Sequence, residues 1–98
     1  MNSMDIVSKL AARSGTIREK GATALYIYGS RARGDNRPDS DLDVFVEYDE
    51  TSRFSLLNLA AIKNFIEDEI GIEVDIATRD SLHPKLKDQI EASAVRVF

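Results

Sequence analysis

The chain has 98 residues, of which 43% are hydrophobic, and this size fits one globular domain spanning residues 1–98. Its 13 basic and 17 acidic side chains give a net charge of −4, which disfavours duplex nucleic acid as the main ligand. The absence of cysteine excludes disulfides, thiolate nucleophiles and cysteine-based metal centres. No apolar run reaches membrane length and the N-terminus lacks a signal-peptide pattern, so we expect a cytoplasmic protein without a membrane partner.

The spacing of apolar residues predicts a small α/β domain of the α+β type, with helices packed on a single mixed sheet. A first helix begins at Asn2 or Ser3 and continues to Gly21, a natural C-terminal stop. The other predicted elements, in chain order, are a strand over Ala22–Tyr28, a short helix at "SRARG", a strand over about Asp41–Tyr48, a helix over about Ser52–Ile70, a strand over Ile72–Ala77, a helix over Ser81–Ala92 and a terminal strand in "AVRVF".

Two acids share one face of the second predicted strand. Side chains alternate along a strand, so Leu42, Val44 and Val46 point to one face while Asp41 and Asp43 point to the other. Carboxylates this close repel each other when no cation is present. A solvated strand face is the ordinary explanation of such a pair, and a divalent metal site is the functional one.

A third acid has the same parity on the next strand. In "IEVDIAT", burial of the alternating Ile and Val residues leaves Asp75 on the opposite face. There it would join Asp41 and Asp43 if the two strands are neighbours. Such oxygen ligands favour Mg²⁺ or Mn²⁺, and two of these ions about 3.5–4 Å apart commonly clamp an in-line displacement at phosphorus.

The turn after the first strand has the features of an anion site. Gly29 allows a phosphate to approach the backbone closely, and Ser30 adds a hydroxyl donor at the start of the short helix. Arg31 or Arg33 would supply a cation, and we assign Arg33 to this anion site. Gly-Ser is also a common pair in ordinary turns, so the assignment depends on the acids that follow it.

These features form the arrangement G-S-x(10)-D-x-D, written here as Gly29-Ser30, ten residues and Asp41-Leu42-Asp43, within "GSRARGDNRPDSDLDVFV". The arrangement resembles the minimal nucleotidyltransferases (MNT) of the polymerase-beta-like superfamily. The segment "EVDIAT" lies where that family carries its third acid, so the resemblance covers nearly the whole chain. It implies the polymerase-beta-like nucleotidyltransferase fold.

The resemblance also implies the reaction, a Mg²⁺-dependent transfer of a nucleotidyl group from a nucleoside triphosphate, here ATP, to a hydroxyl. Carried onto this sequence, Gly29 and Ser30 would hold the triphosphate. Asp41 and Asp43 would bind the metals, and Asp75 would bind one metal and the incoming hydroxyl, whose proton it could accept. All positions of the motif are present, so we expect a catalytic chain.

The predicted helix over Ser52–Ile70 has apolar residues around much of its circumference, as expected either for a core helix or for a partner surface. Larger nucleotidyltransferases use a second domain to help hold substrate, so another subunit could complete the cleft. The chain resembles the antitoxin half of toxin–antitoxin pairs whose partner is a helical HEPN-domain ribonuclease, which implies adenylylation of that toxin. Two alternatives stay open: a nucleotide-binding module that neutralises its partner by contact, and an enzyme that modifies a small hydroxylated molecule with a second subunit. Homo-oligomers are also left open.

Three further residues invite a functional interpretation that we do not favour. His83, the only histidine, precedes Pro84 at a helix start and is expected to be a surface or capping residue. Tyr26 and Tyr28 alternate with apolar neighbours and are expected to pack on the sheet, with one of them able to line the nucleotide pocket.

Overall fold

The computed structural model describes all 98 residues, which form four strands and five α-helices. A 3-10 turn over Arg79–Ser81 follows the third strand. The elements in chain order are α1 (Ser3–Ala11), α2 (Ser14–Glu19), β1 (Ala22–Tyr28), α3 (Gly29–Arg33), β2 (Leu42–Tyr48), α4 (Leu56–Ile70), β3 (Val74–Thr78), α5 (Pro84–Ser93) and β4 (Val95–Arg96).

The strands form one mixed sheet in the order β3-β2-β1-β4. Strand β1 is antiparallel to both β2 and β4, whereas β2 and β3 are parallel. Parallel neighbours require a crossover, and α4 provides it between β2 and β3. None of the helices has the length and apolar character needed to cross a bilayer. The expected mixed sheet with packed helices is confirmed.

The core lies on one face of this sheet, beneath α1, α2 and α4. Alternation along β2 places its even-numbered apolar residues in the core, as predicted. Helix α4 contributes one side chain per turn from Ile62 to Ile70. The fully buried members of the cluster are Ile6, Leu10, Ile17, Leu25, Ile27, Leu42, Val44, Val46, Ile62 and Ile66.

The first helix differs from the prediction because it is divided. Helix α1 ends at Ala11 and α2 begins at Ser14, although Ile6 and Leu10 of α1 and Ile17 of α2 are all buried. The break falls at Ala12 and Arg13, directly before a run of serine, glycine and threonine, residues that propagate a helix poorly. The division lets Leu10 and Ile17 reach the same core cluster from two short helices.

Four predicted boundaries also shift. Strand β3 begins at Val74, not at Ile72, and ends at Thr78. Helix α4 begins at Leu56, not near Ser52, because Ser55 caps it in a reciprocal pair of hydrogen bonds with Asn58. The last helix begins at Pro84 and not at Ser81, because Ser81 ends the 3-10 turn and His83, which directly precedes the proline, has a non-helical backbone and caps the helix. Asp41 lies just before β2 instead of inside it.

A carboxylate on α4 anchors the start of β3. Glu67 Oε2 accepts a hydrogen bond from the Val74 backbone N–H at 2.9 Å and another from Lys63 Nζ at 3.3 Å. The hydrogen bond from Val74 is the main cause that lowers the pKa of Glu67, and Lys63 lowers it further. Because Val74 directly precedes Asp75, this contact sets where the third acid of the motif begins its strand.

We therefore expect Glu67→Gln to destabilise the fold in a pH-dependent way. A carboxyl whose folded pKa is lowered stabilises the protein above its ordinary value of 4.5, and this stabilisation is lost as the pH falls through the folded pKa. The variant should unfold more easily than the wild type at pH 7, and this difference in stability should shrink as the pH is lowered below 4.5, as measured by urea denaturation. Asp68→Asn, on the exposed side of the same helix, is the control. Its stability relative to the wild type should not change between these pH values.

Candidate active site

A row of three side chains crosses the sheet on the face opposite the core. In the parallel pair of β2 and β3, Asp43 lies directly opposite Asp75. In the antiparallel pair of β1 and β2, Tyr28 lies directly opposite Asp43. Strands β2 and β3 are thus neighbours, which was the condition for Asp75 to join the other acids, and two of the three expected acids lie side by side.

The electrostatics of this row disfavour an ionised Asp43. Partial burial raises the pKa of the Asp43 carboxyl, and the charges of Asp75 and then Asp41 raise it further, while Arg33 opposes them. The pKa of the Tyr28 phenol is raised by burial and by the same two strand carboxylates, Asp43 and Asp75. A group of like charges in a half-buried position is stabilised by a nearby cation.

Asp41 is less closely integrated than the motif suggests. It is exposed and precedes β2, so the strand pleat does not hold it beside Asp43. No three Asp, Glu or His side chains are gathered into a group that could hold a metal ion. The three acids therefore do not form a preassembled cluster, because Asp41 is exposed and lies outside the strand that holds Asp43.

The acidic donors nevertheless fit a divalent cation in their chemistry. Asp43 and Asp75 present oxygen ligands from neighbouring strands. Exposed Asp41 is close enough for its charge to raise the pKa of Asp43. Hard carboxylate oxygens of this kind suit Mg²⁺ or Mn²⁺. The assignment of Asp41, Asp43 and Asp75 as metal ligands stays a prediction.

Gly29 is packed directly against the acids. Its φ is +73°, a left-handed conformation that side chains rarely adopt, and it opens α3 immediately after β1. A Cβ added at this position would lie 2.3 Å from Asp43 Oδ2, which is closer than atoms can approach. Only glycine lets the turn and the carboxylate lie this close together.

Ser30 and Arg33 follow Gly29 in the short helix α3. The Ser30 carbonyl accepts hydrogen bonds from the backbone N–H groups of Gly34 and Asp35, whereas its hydroxyl makes no hydrogen bond within the chain. Arg33 is exposed and pairs with Asp35 at 3.1 Å. Its charge still lowers the pKa of Asp43, so it lies close enough to influence the acids.

Arg31 has a role that the sequence did not reveal. It is the only buried charged residue, and its guanidinium donates to the carbonyl oxygens of Ser40 at 2.9 Å and Pro38 at 3.3 Å. These bonds tie α3 to the end of the loop over residues 34–41, directly before Asp41. The pattern "SRAR" offers two arginines of equal chemistry, and only the fold decides which one is turned inward.

The aromatic residues of this face pack as expected. Tyr26 stacks on Phe45 with ring centroids 4.7 Å apart, and Tyr28 contacts the same ring at 5.7 Å. Tyr28 also lines a cleft beside Gly29, as the sequence allowed for one of the two tyrosines. His83 caps α5, since its Nδ1 accepts a hydrogen bond from the Lys85 N–H at 3.2 Å. The expected capping role of His83 is confirmed.

Helix α4 combines both of its predicted roles in different turns. Ile62, Ile66 and Ile70 belong to the core, whereas Leu56 and Leu57 in the first turn are 82% and 83% exposed. The core interpretation is thus confirmed for the later turns. A partner surface at the first turn stays a prediction.

Comparison with known proteins connects this site to a family. The family model described as "Nucleotidyltransferase domain" matches residues 12–97. The Methanocaldococcus jannaschii protein MJ0435, provisionally named a protein adenylyltransferase, is 43% identical over 78 residues, which cover 80% of this chain and 82% of MJ0435. The protein adenylyltransferase MntA of Thermococcus cleftensis is 33% identical over 79 residues, which cover 80% of this chain and 78% of MntA.

Solved structures agree with this relationship. A structure provisionally described as a minimal nucleotidyltransferase is 33% identical, with a TM-score of 0.73 over 97% of this chain and 95% of that one. A complex of a tri-AMPylated Shewanella oneidensis HEPN toxin with its MNT antitoxin contains a chain of the same fold, with a TM-score of 0.62, 13% identity and coverage of 90% and 68%. The predicted fold and the resemblance to minimal nucleotidyltransferases are confirmed.

The contact between Gly29 and Asp43 predicts that two glycine variants will separate stability from activity. Gly29→Ala and Gly34→Ala both force alanine into a left-handed conformation and should each cost about 1–2 kcal/mol in urea denaturation. Only Gly29→Ala displaces the Asp43 carboxylate, because a Cβ at Gly34 meets nothing within 4 Å. Nucleotidyl transfer should therefore be lost in Gly29→Ala and kept in Gly34→Ala. Equal activity of the two variants would contradict this assignment.

The buried guanidinium predicts that Arg31→Met will loosen the loop before Asp41. Two hydrogen bonds from a charged donor are lost, so we expect a destabilisation of about 2 kcal/mol, measured by urea denaturation. Faster amide hydrogen exchange in residues 34–41 should accompany it. Arg37→Met, in the exposed part of that loop, is the matched control and should leave both measurements at the wild-type level. Unchanged exchange in Arg31→Met would show that the guanidinium does not hold the loop.

Proposed function

Because the chain belongs to the nucleotidyltransferase domain family and is a nucleotidyltransferase, we propose that it transfers AMP from ATP to a hydroxyl of a partner protein. The proposed partner is a HEPN-type toxin, which the transfer silences, so that the chain acts as an antitoxin. The transfer depends on Mg²⁺ in this proposal.

One observation carries the proposal: the carboxylates of Asp43 and Asp75 lie in register on neighbouring strands, directly beside the Gly29 turn. A triphosphate site requires acids on one side, which bind cations, and free backbone and hydroxyl donors on the other, which bind phosphate oxygens. A solvated strand face would not need glycine packed against its acid. The tight approach of Gly29 to Asp43 therefore supports a built site.

The reaction assigns a separate task to each group. The acceptor oxygen forms a bond to the α-phosphorus of ATP, and the bond from that phosphorus to the oxygen bridging to the β-phosphorus breaks. Pyrophosphate leaves with the bonding electrons, held at the Gly29-Ser30 turn and near Arg33. Asp75 is exposed at the strand edge and can accept the proton of the incoming hydroxyl.

Asp41, Asp43 and Asp75 would hold the divalent ions. When bound, such ions neutralise developing charge on the phosphate oxygens and orient the reacting groups. The raised pKa of Asp43 agrees with this role, since a carboxylate surrounded by like charges gains most from a cation.

A protein acceptor is supported by three features. The named relatives are protein adenylyltransferases, and one structure of the same fold is an antitoxin in complex with an AMPylated HEPN toxin. In this chain, Leu56 and Leu57 leave an apolar surface at the start of α4 that a protein partner could cover. The edge that carries Asp75 is also open to a large acceptor.

Incubation of the purified chain with Mg²⁺, ATP and the HEPN-domain protein of the same genome tests the proposal. Mass spectrometry should show a HEPN chain heavier by one or more AMP units on a hydroxyl side chain. Asp43→Asn and Asp75→Asn should each lower the rate at least about a hundredfold, because they remove groups that act in the transition state. Asp39→Asn, an exposed acid of the preceding loop, is the control and should keep the wild-type rate.

Thermal melting distinguishes a catalytic defect from unfolding in these variants. Asp43→Asn removes a repelling charge, so in metal-free buffer at pH 7 it should melt no lower than the wild type. Mg²⁺ should raise the melting temperature of the wild type more than that of Asp43→Asn. Neutralisation of the HEPN protein without ATP and without a mass change would instead favour a contact-only antitoxin.

A further inference from the structure

The largest of the five surface clefts begins at the Gly29-Ser30 turn, and the residues that α5 contributes to it have no role in the chemistry described above. Its volume is about 480 Å³, within the range of about 300–1,000 Å³ typical of small-molecule sites. It lies between α3 and α5, opposite the sheet edge that carries Asp75. The residues that line it are Tyr28, Gly29, Arg33, Leu86, Gln89, Ile90 and Ser93.

The lining of this cleft suits a flat group with a polar edge. Tyr28, Leu86 and Ile90 provide apolar walls, and no Asp or Glu lies among the lining residues. Leu86 is 49% exposed although it is a large apolar side chain. The neutral and basic character of the cleft contrasts with the acidic row that begins one strand away.

The strand register connects the cleft to the reacting phosphate. Tyr28 belongs both to the cleft wall and to the row in which it opposes Asp43. A nucleotide with its phosphates between Gly29 and the acids can extend toward β3, where the acceptor must enter at Asp75, or across Tyr28 into the cleft. Only the second path leaves the acceptor side free.

One polar side chain in the cleft is available for recognition. The Gln89 carboxamide makes no hydrogen bond within the chain, whereas the Ser93 hydroxyl is satisfied by carbonyl oxygens of its own helix. Helix α5 itself is held firmly, because Arg79 bonds to Glu91 on α5 and to Glu47 on β2. The Gln89 side chain can therefore donate and accept hydrogen bonds to a ligand, and the helix that carries it is held to the sheet by Arg79.

We propose that this cleft holds the nucleoside half of ATP and that Gln89 is a specificity-determining residue that reads the adenine edge. A carboxamide can bond to adenine through both the exocyclic amino group and N7, whereas guanine presents two acceptors at that edge and is matched by arginine. Leu86 and Ile90 pack against the base. This inference rests on the proposed function and adds the choice of nucleotide to it.

Calorimetric titration of the full chain with Mg-ATP, Mg-GTP and Mg-tripolyphosphate tests the inference. Gln89→Arg should weaken ATP binding and improve GTP binding, so that the ratio of the two affinities changes by about tenfold or more. Leu86→Ser should weaken ATP binding and leave tripolyphosphate binding unchanged. Ala92→Arg adds the same charge to an exposed position of α5 outside the cleft and should retain the wild-type ratio.

The outcomes separate this inference from the proposed function. An unchanged ATP-to-GTP ratio in Gln89→Arg, or the same change in Ala92→Arg, would overturn the assignment of Gln89. Unchanged ATP affinity in Leu86→Ser would overturn the location of the nucleoside. Neither result affects the transfer reaction. A wild-type chain that binds neither ATP nor tripolyphosphate would instead contradict the proposed function itself.

Discussion

The alternation of side chains along β2 is the constraint on which the site depends. Because Leu42, Val44 and Val46 are buried in the core, the side chain of Asp43 must point to the opposite face of the sheet. The hydrophobic effect that stabilises the fold thereby holds a half-buried carboxylate in a position that is electrostatically unfavourable. A shift of one residue in the register would expose the core residues and bury the acid, so the fold and the site specify the same register.

The unfavourable charge at Asp43 is the feature that gives the site its chemistry. Asp75 adds a second carboxylate in register, and Gly29 keeps the backbone of the turn within contact distance of the Asp43 carboxylate. In the absence of ligands the two carboxylates repel each other, and the Ser30 hydroxyl has no hydrogen-bond partner in the chain. Nucleotide and cation together would satisfy them, which is the expected design of a site that stabilises charge during phosphoryl transfer.

Three anchors outside the motif hold the functional groups in place. Glu67 accepts the Val74 N–H before Asp75, Arg31 ties down the loop before Asp41, and Arg79 joins α5 to the sheet. Glu67 and Arg31 act where a regular element meets a loop, and Arg79 links two regular elements. The geometry of the proposed site thus depends on residues outside the motif.

The sequence by itself determined the order of the elements, the faces of β2 and β3 and the motif of Gly29, Ser30 and the acids, because alternation and turn chemistry are local properties. It could not separate the roles of Arg31 and Arg33, since both are long cations in a short helix and only the packing of the loop over residues 34–41 turns one of them inward. It could not place Asp41 at the margin of the acidic row. The cleft at Gln89 was likewise decided by the tertiary structure alone, because the packing of α5 beside α3 joins segments more than fifty residues apart.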